Sequence, residues 1–197
     1  MKINYCLALL GALLISGCST SVKRLDAQQQ VDLSGGWNDS DSQLVAREMI
    51  DDSLSRPWLG KFLKAQGKEP ALIIGRIKNL SHEHINTRTF IADMERELIN
   101  SGQVQFVASA VARNEIREER ADQELNATAD TRKESGQEYG ADFIMQGEIN
   151  TIIDIDGSTE LRFYQVNLQL VSIKDNRKVW LGEKKIKKLV KNSKLRK

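Results

Sequence analysis

The sequence predicts an α/β fold, a mixed β-sheet of about five strands with helices packed mainly on one face. The last third of the chain alternates apolar and polar residues, as strands with one buried face do. The middle of the chain alternates between short apolar runs and segments with helical periodicity. With 197 residues, 40% of them apolar, the chain is long enough for one domain with a core, plus tails.

The first helix is predicted to begin in the segment Asn38-Asp39-Ser40-Asp41-Ser42, where Ser40 and Gln43 have the spacing of a capping box. We expect it to end by Ser55, because Pro57 disfavours helical geometry at Arg56. Four apolar residues share one stripe of this helix: Leu44, Val45, Met49 and Ile50. Four more follow Pro57 and should cover the core or a partner: Trp58, Leu59, Phe62 and Leu63.

A strand, a helix and a second strand come next. Residues 71–79 are an apolar, β-branched run between turn-forming residues, which favours a buried strand. Apolar residues then recur at helical spacing up to Ser101, and Gly102 can supply a left-handed cap. Residues 103–109 are predicted as a short strand.

Two further helices are expected before the final strands. Ser109 is a suitable cap for a highly charged helix over residues 110–125, whose few apolar residues indicate a surface position. Residues 128–140 are predicted as another helix that stops near Gly140.

The final third is predicted to form three antiparallel strands. Residues 142–154 and 164–170 both alternate, and Asp156-Gly157 is a hairpin turn signal between them. A second turn at residues 174–177 leads into the strand KVWLGEKKI. The shared apolar face of these strands requires helices to cover it.

The N-terminus has the features of a secretory signal. Residues 1–17 contain an early lysine, an apolar stretch and a small-residue step directly before Cys18. This step resembles the bacterial lipoprotein box, which implies cleavage after Gly17 and lipid attachment to Cys18; the alternative is an ordinary signal peptide with Cys18 as a bystander. The residue after this cysteine is Ser19 and not aspartate, which resembles the pattern of lipoproteins sorted to the outer membrane. Residues 18–37 are then a flexible tether to a periplasm-facing domain.

Charge is unevenly distributed. Residues 184–197 hold eight of the 29 basic residues and none of the 27 acidic residues, so the rest of the chain is mildly acidic. This argues against a nucleic-acid-binding body. The basic tail, assigned to residues 188–197, either contacts an acidic lipid or partner or simply improves solubility.

No pattern in the sequence indicates catalysis, a cofactor or a metal site. His82 and His84 could form a metal pair, but no third ligand is placed by spacing, and a solvated loop is the simpler interpretation. The chain has no G-x-S-x-G elbow, no phosphate-binding loop and, once the signal is removed, no free thiol. We therefore expect a protein that is not an enzyme.

The order of motifs resembles the LpoB family, outer-membrane lipoproteins that activate penicillin-binding proteins. The similarity lies in ALIIGRIKN, in the helix ending L-x-N-S-G with its V-x-F-V strand, and in Y-G-A-D-F-I-M-Q-G. It covers most of residues 38–187 and implies a fold similar to the amino-terminal domain of TolB. It also implies a regulator that binds a bifunctional penicillin-binding protein, the periplasmic synthase of peptidoglycan.

Four residues near the loop after the first strand are the candidate contacts with that partner: Asn79, His82, His84 and Arg88. The alternative is an envelope structural or binding lipoprotein that recognises another periplasmic protein or a glycan with the same domain.

Overall fold

The computed structural model describes residues 22–26, 29 and 31–191. Within these residues the helices are α1 (Asp39–Ser55), α2 (Pro57–Gln66), α3 (Thr87–Ser101) and α4 (Ala110–Asn126). The strands are β1 (Ala71–Leu80), β2 (Gln105–Phe106), β3 (Phe143–Asp156), β4 (Thr159–Ser172) and β5 (Lys178–Lys191). The signal, Cys18 and Ser19 lie outside the described residues. No helix in the described ranges is both long and apolar enough to span a bilayer.

The five strands form one mixed sheet in the order β2-β1-β3-β4-β5. β1 pairs in parallel with both β2 and β3, while β3, β4 and β5 form an antiparallel meander. The alternation in the final third therefore correctly predicted three long strands, and the turn glycine Gly157 has the expected positive φ of 59°. The predicted α/β class, with a mixed five-stranded sheet, is confirmed.

The core lies between one face of the sheet and the helices. α1 packs against α3 and β5, and α3 packs against β1. Trp58 and Phe62 of α2 meet Phe143 edge-on at ring-centroid distances of 5.1 and 5.4 Å, so the apolar patch after Pro57 closes one end of the core. The largest fully buried side chains are Tyr164, Phe90, Ile50, Leu72, Met94, Leu98, Met145, Ile149, Leu168 and Leu170.

The start of α1 differs from the predicted capping pair. Asn38, not Ser40, is the N-cap: its side chain accepts from the Asp41 N–H, and the Asp41 carboxylate accepts from the Asn38 N–H. Both pairs have capping-box spacing, and the pair with a carboxylate is favoured at the positive end of the helix dipole. α1 ends at Ser55 as expected, and α2 begins directly at Pro57, a residue suited to the first helical turn.

Three other segments differ from the sequence-based expectations. Residues 127–142 form turns instead of a helix, because no large apolar side chain occurs between Thr128 and Glu138 and Gly136 has a φ of 83°. β2 is only two residues long, since the caps of α3 and α4 leave little chain between them. β5 continues to Lys191, so the first four residues of the predicted basic tail are strand.

Candidate functional site

The candidate contact residues lie where β1 ends and α3 begins. The end of a parallel strand and the start of the following helix commonly carry binding residues, because a rigid scaffold presents the loop between them. Here the loop spans residues 81–86, and Asn86 caps α3 by accepting from the Arg88 N–H at 3.1 Å.

Asn79 holds this loop in shape. Its side-chain oxygen accepts from the Ser81 N–H at 3.0 Å and from the Ser81 hydroxyl at 2.6 Å. Its amide nitrogen donates to the Glu83 carbonyl at 2.7 Å. Asn79 is half-buried and engaged within its own loop, so it positions the other candidates.

The remaining three candidates are exposed on the same loop and helix start. The His82 ring lies 2.9 Å from the Thr151 hydroxyl through Nδ1, and the His82 N–H donates to the same hydroxyl. His84 and Arg88 present their side chains to solvent. Two imidazoles and one guanidinium are thus exposed within seven residues of the chain.

Glu83, between the two histidines, is the centre of a polar network that the sequence analysis did not identify. Its carboxylate accepts from the Tyr164 hydroxyl at 2.5 Å, from Arg162 at 3.0 Å and from the Trp37 N–H at 3.0 Å. Arg162 also donates to Glu160 at 2.6 Å. Hydrogen bonds therefore join the loop both to β4 and to the segment that precedes α1.

Lys188 makes a second connection to that segment. Its ammonium donates to Asp41 at 2.6 Å, to Asp32 at 2.7 Å and to the Gly36 carbonyl at 3.0 Å. Trp37 adds edge-on ring contacts with Phe90 and Tyr164. We call residues 32–38 the junction, because they lead into α1. Residues 32–37 belong to the predicted flexible tether, but these contacts hold them against the domain, beside the candidate contact loop.

The network raises the pKa values of three of its members. The hydrogen bond to Glu160 raises the pKa of Arg162 despite its partial burial. Burial raises the pKa of Tyr164, and the bond to Glu83 raises it further. Burial alone would lower the pKa of Lys188, but the bonds to Asp32 and Asp41 outweigh it and the net shift is upward. All three shifts favour the protonated side chain, which donates the hydrogen bonds. The bonds that join the loop, β4 and the junction therefore persist across the neutral pH range.

A signal for this network was present in the sequence. Strand alternation places Lys184 and Lys188 on the same face of β5 as Trp180, and charged residues at core-facing positions require partners. Tyr164 stands in an otherwise aliphatic buried row, and its hydroxyl likewise needs a partner. The partners could not be named, because Glu83 lies 79 and 81 residues from Arg162 and Tyr164.

Comparison with known proteins gives a family match. A family profile described as "Peptidoglycan-synthase activator LpoB" matches residues 41–186, from the first turn of α1 into β5. No curated protein sequence matches the chain at a significant level.

Similar solved structures were also found. E. coli LpoB, determined by NMR, is 14% identical, with 89% of this chain and 84% of that chain covered and a TM-score of 0.40. The LpoB C-terminal domain from Salmonella enterica is 13% identical, with 66% and 93% covered and a TM-score of 0.33. Lipoprotein GNA1162 from Neisseria meningitidis is 15% identical, with 64% and 88% covered and a TM-score of 0.39.

The family assignment rests on the profile, which spans well over half of the sequence and nearly all of the described fold. The chain belongs to the LpoB family of peptidoglycan-synthase activators.

Proposed function

We propose that this protein is an outer-membrane lipoprotein that regulates peptidoglycan synthesis by binding and activating a bifunctional penicillin-binding protein. The observation that carries the proposal is the family match over residues 41–186. In this proposal residues 1–17 are a cleaved signal, Cys18 carries the lipid and residues 18–37 tether the domain, which faces the periplasm. The domain is assigned to residues 38–187 and the basic tail to residues 188–197, of which residues 188–191 continue β5.

Activation without a catalytic group requires a shift in the partner's conformational equilibrium. A regulator accelerates its partner only if it binds the active conformation more tightly than the resting one. A ten-fold shift in that equilibrium needs about 1.4 kcal/mol of differential binding. A few well-placed contacts from a rigid surface can supply this.

The proposed contact surface is formed by His82, His84 and Arg88, with Asn79 as the residue that shapes their loop. Three features support it: the side chains are exposed, the loop is fixed by hydrogen bonds at both ends, and the Glu83 network joins it to the sheet. A preformed loop loses little conformational entropy on binding, which favours affinity.

The test is a glycan-polymerisation assay with bifunctional synthases from the source organism, with and without an excess of this protein. We expect acceleration of one synthase and its capture in a pull-down. No acceleration of any synthase would refute the activator function.

The contact surface is tested separately with the double variant His84→Ala/Arg88→Ala, whose side chains do not support the fold. We expect about a ten-fold loss of apparent affinity for the synthase. The matched control is Lys61→Ala/Lys64→Ala, which removes two exposed side chains on α2, beside the opposite end of β1. Equal effects of the two double variants would place the contact elsewhere while leaving the activator function intact.

Glycan binding is a second candidate function, favoured by a depression on the sheet whose lining residues, in the described part of the chain, all come from β1, β3, β4 and β5. This depression of about 430 Å³ is lined by polar side chains that both donate and accept hydrogen bonds, and by two cations. These side chains are Gln146, Glu148, Asn167, Gln169, Arg76 and Lys78. Retention of the protein on purified peptidoglycan without any synthase, lost in Asn167→Ala/Gln169→Ala, would support this function.

A further inference from the structure

β5 is an unusually long edge strand. It extends over 14 residues and pairs only with β4, so its other edge presents unpaired backbone groups in the described part of the chain. Such an edge can pair with another strand, and proteins usually protect it with lysines, prolines or bulges. β5 contains no proline, and it is in regular register with β4 from Trp180 to Lys191.

Three of the six lysines of β5 are paired with carboxylates, which reduces the protection that they give this edge. Lys184 is paired with Glu48, and Lys188 with Asp32 and Asp41, on the core-facing side. On the outward face Lys185 pairs with Glu183 at 2.6 Å, and the Lys187 ammonium lies 5.8 Å from the centre of the Phe163 ring. A second strand approaching the middle of the edge would therefore meet Lys184, Lys185 and Lys188 with their counter-ions in place, while Lys187 has no carboxylate partner in the described part of the chain.

The outward face of β5 is complementary to itself. Its residues are, in order, Leu181, Glu183, Lys185, Lys187 and Leu189. In an antiparallel pair of identical strands related by a two-fold axis at Lys185, Leu181 faces Leu189 of the second copy and Glu183 faces Lys187. Leu181 and Leu189 are 67% and 61% exposed in the single chain, so pairing would remove apolar surface from water.

Neighbouring registers are less favourable. Moving the axis to Lys184 keeps two opposite-charge pairs, Glu183 with Lys185, but it places Leu181 opposite Lys187 and so breaks both leucine pairs. Moving it to Ile186 places Lys185 opposite Lys187 and Glu183 opposite Leu189. Only the axis at Lys185 gives two leucine pairs together with two opposite-charge pairs. It also places the two Lys185 side chains opposite each other, and the two Glu183 carboxylates beside them offset part of this like-charge contact.

We propose that two copies of this protein associate through β5, antiparallel about a two-fold axis at Lys185, so that the two five-stranded sheets become one continuous sheet. A two-fold interface uses the same patch on both copies, as the outward row of β5 does. The proposal does not depend on the synthase as partner, because the edge lies outside the candidate contact loop.

The test uses disulfide formation at single introduced cysteines. The full chain is purified in mild detergent with Cys6 and Cys18, its only cysteines, replaced by serine. In the proposed register K185C thiols face each other within disulfide distance. K187C thiols of two copies are four residues out of register, about 13 Å apart along the strand, and cannot bond. A mixture of E183C and K187C chains should form a mixed disulfide that neither chain forms alone.

We expect K185C to cross-link at least about ten-fold faster than K187C. In light scattering of the cysteine-free chain, Leu181→Lys should weaken dimerisation by about ten-fold, because it breaks both symmetry-related leucine pairs. The control is Leu125→Lys, on exposed α4. A monomer up to millimolar concentration, equal cross-linking of K185C and K187C, or a dimer insensitive to Leu181→Lys would each overturn the proposal.

Discussion

Glu83 connects three parts of the molecule that are far apart in sequence. Its carboxylate binds Trp37 of the junction and two side chains of β4, and its backbone carbonyl receives the bond from Asn79. Neither histidine beside it has as many partners. The residue that matters most for the shape of this site is therefore the one between the more conspicuous candidates.

Replacement of Glu83 should destabilise the fold. Glu83→Ala removes the acceptor shared by Arg162, Tyr164 and the Trp37 N–H; Arg162 keeps Glu160, while the Tyr164 hydroxyl keeps only its 3.4 Å bond to the Gly35 carbonyl. We expect a loss of about 2 kcal/mol in the free energy of unfolding. Urea unfolding measures this loss. Glu118→Ala, an exposed site on α4, is the control and should change stability by less than about 0.5 kcal/mol. A Glu83→Ala loss no larger than the control's would contradict a structural role for the network.

The free energy of unfolding should decrease at alkaline pH, because two members of the same network lose their protons there. The pKa values of Tyr164 and Lys188 are raised in the folded state. Their contribution to the free energy of unfolding is therefore complete below the pKa values of about 10 that these side chains have in the unfolded chain. It is lost as pH rises through their higher folded-state pKa values. Urea unfolding from about pH 8 to about pH 11 should show this decline.

Tyr164→Phe isolates the tyrosine contribution to that pH dependence. Phenylalanine keeps the ring contact with Trp37 but has no proton to lose, so the decline above about pH 10 should be smaller than in the original protein. Tyr139→Phe, at an exposed ring, serves as the control. An unchanged alkaline decline in Tyr164→Phe would show that other groups cause it.

At the scale of the helices and strands, Gly147 and Gly60 differ in the space that their surroundings leave for a side chain. A Cβ at Gly147 of β3 would lie 2.0 Å from the Asn167 carbonyl oxygen and 2.7 Å from the Leu168 side chain. A Cβ at Gly60 of α2 would meet nothing within 4 Å. The first position therefore depends on the absence of a side chain, and the second does not.

Gly147→Ala should destabilise the protein by at least about 1 to 3 kcal/mol, since β3 and β4 must separate locally to admit the methyl group. Gly60→Ala should stabilise it by about 0.5 to 1 kcal/mol through helix propensity. Thermal and urea unfolding of both variants measure the contrast. Equal effects of the two substitutions would contradict the close strand approach at Gly147.

Most elements could be predicted from local patterns, and the errors have local causes. Alternation found β3 to β5, while Gly102 and Ser109 marked the end of α3 and the start of α4. Residues 128–140 were predicted as a helix, but residues 128–138 have no apolar face to bury, and helices are stabilised mainly by such burial. The structure therefore has no helix in this segment.

At the scale of the whole molecule, the site was predictable only in part. The position of the loop after β1 follows from the order of strand and helix, and the exposed side chains His82, His84 and Arg88 follow from its polarity. The hydrogen bonds from Lys188 to Asp32 and Asp41 depend on the junction folding back over β5, which brings together residues about 150 positions apart. No periodicity in the sequence encodes such a contact.

The last prediction concerns the membrane attachment of the whole protein. If the signal is cleaved after Gly17 as proposed, Cys18→Ala removes the only remaining thiol, so the chain should incorporate no labelled palmitate and should move from the membrane fraction to the soluble periplasm. Ser19→Asp keeps the thiol and tests sorting, because it should leave acylation intact while moving the protein from the outer to the inner membrane. Cys6→Ala, within the signal, is the control and should change neither. If Cys18→Ala stays in the outer membrane, the anchor is elsewhere and the junction does not connect the domain to a lipid.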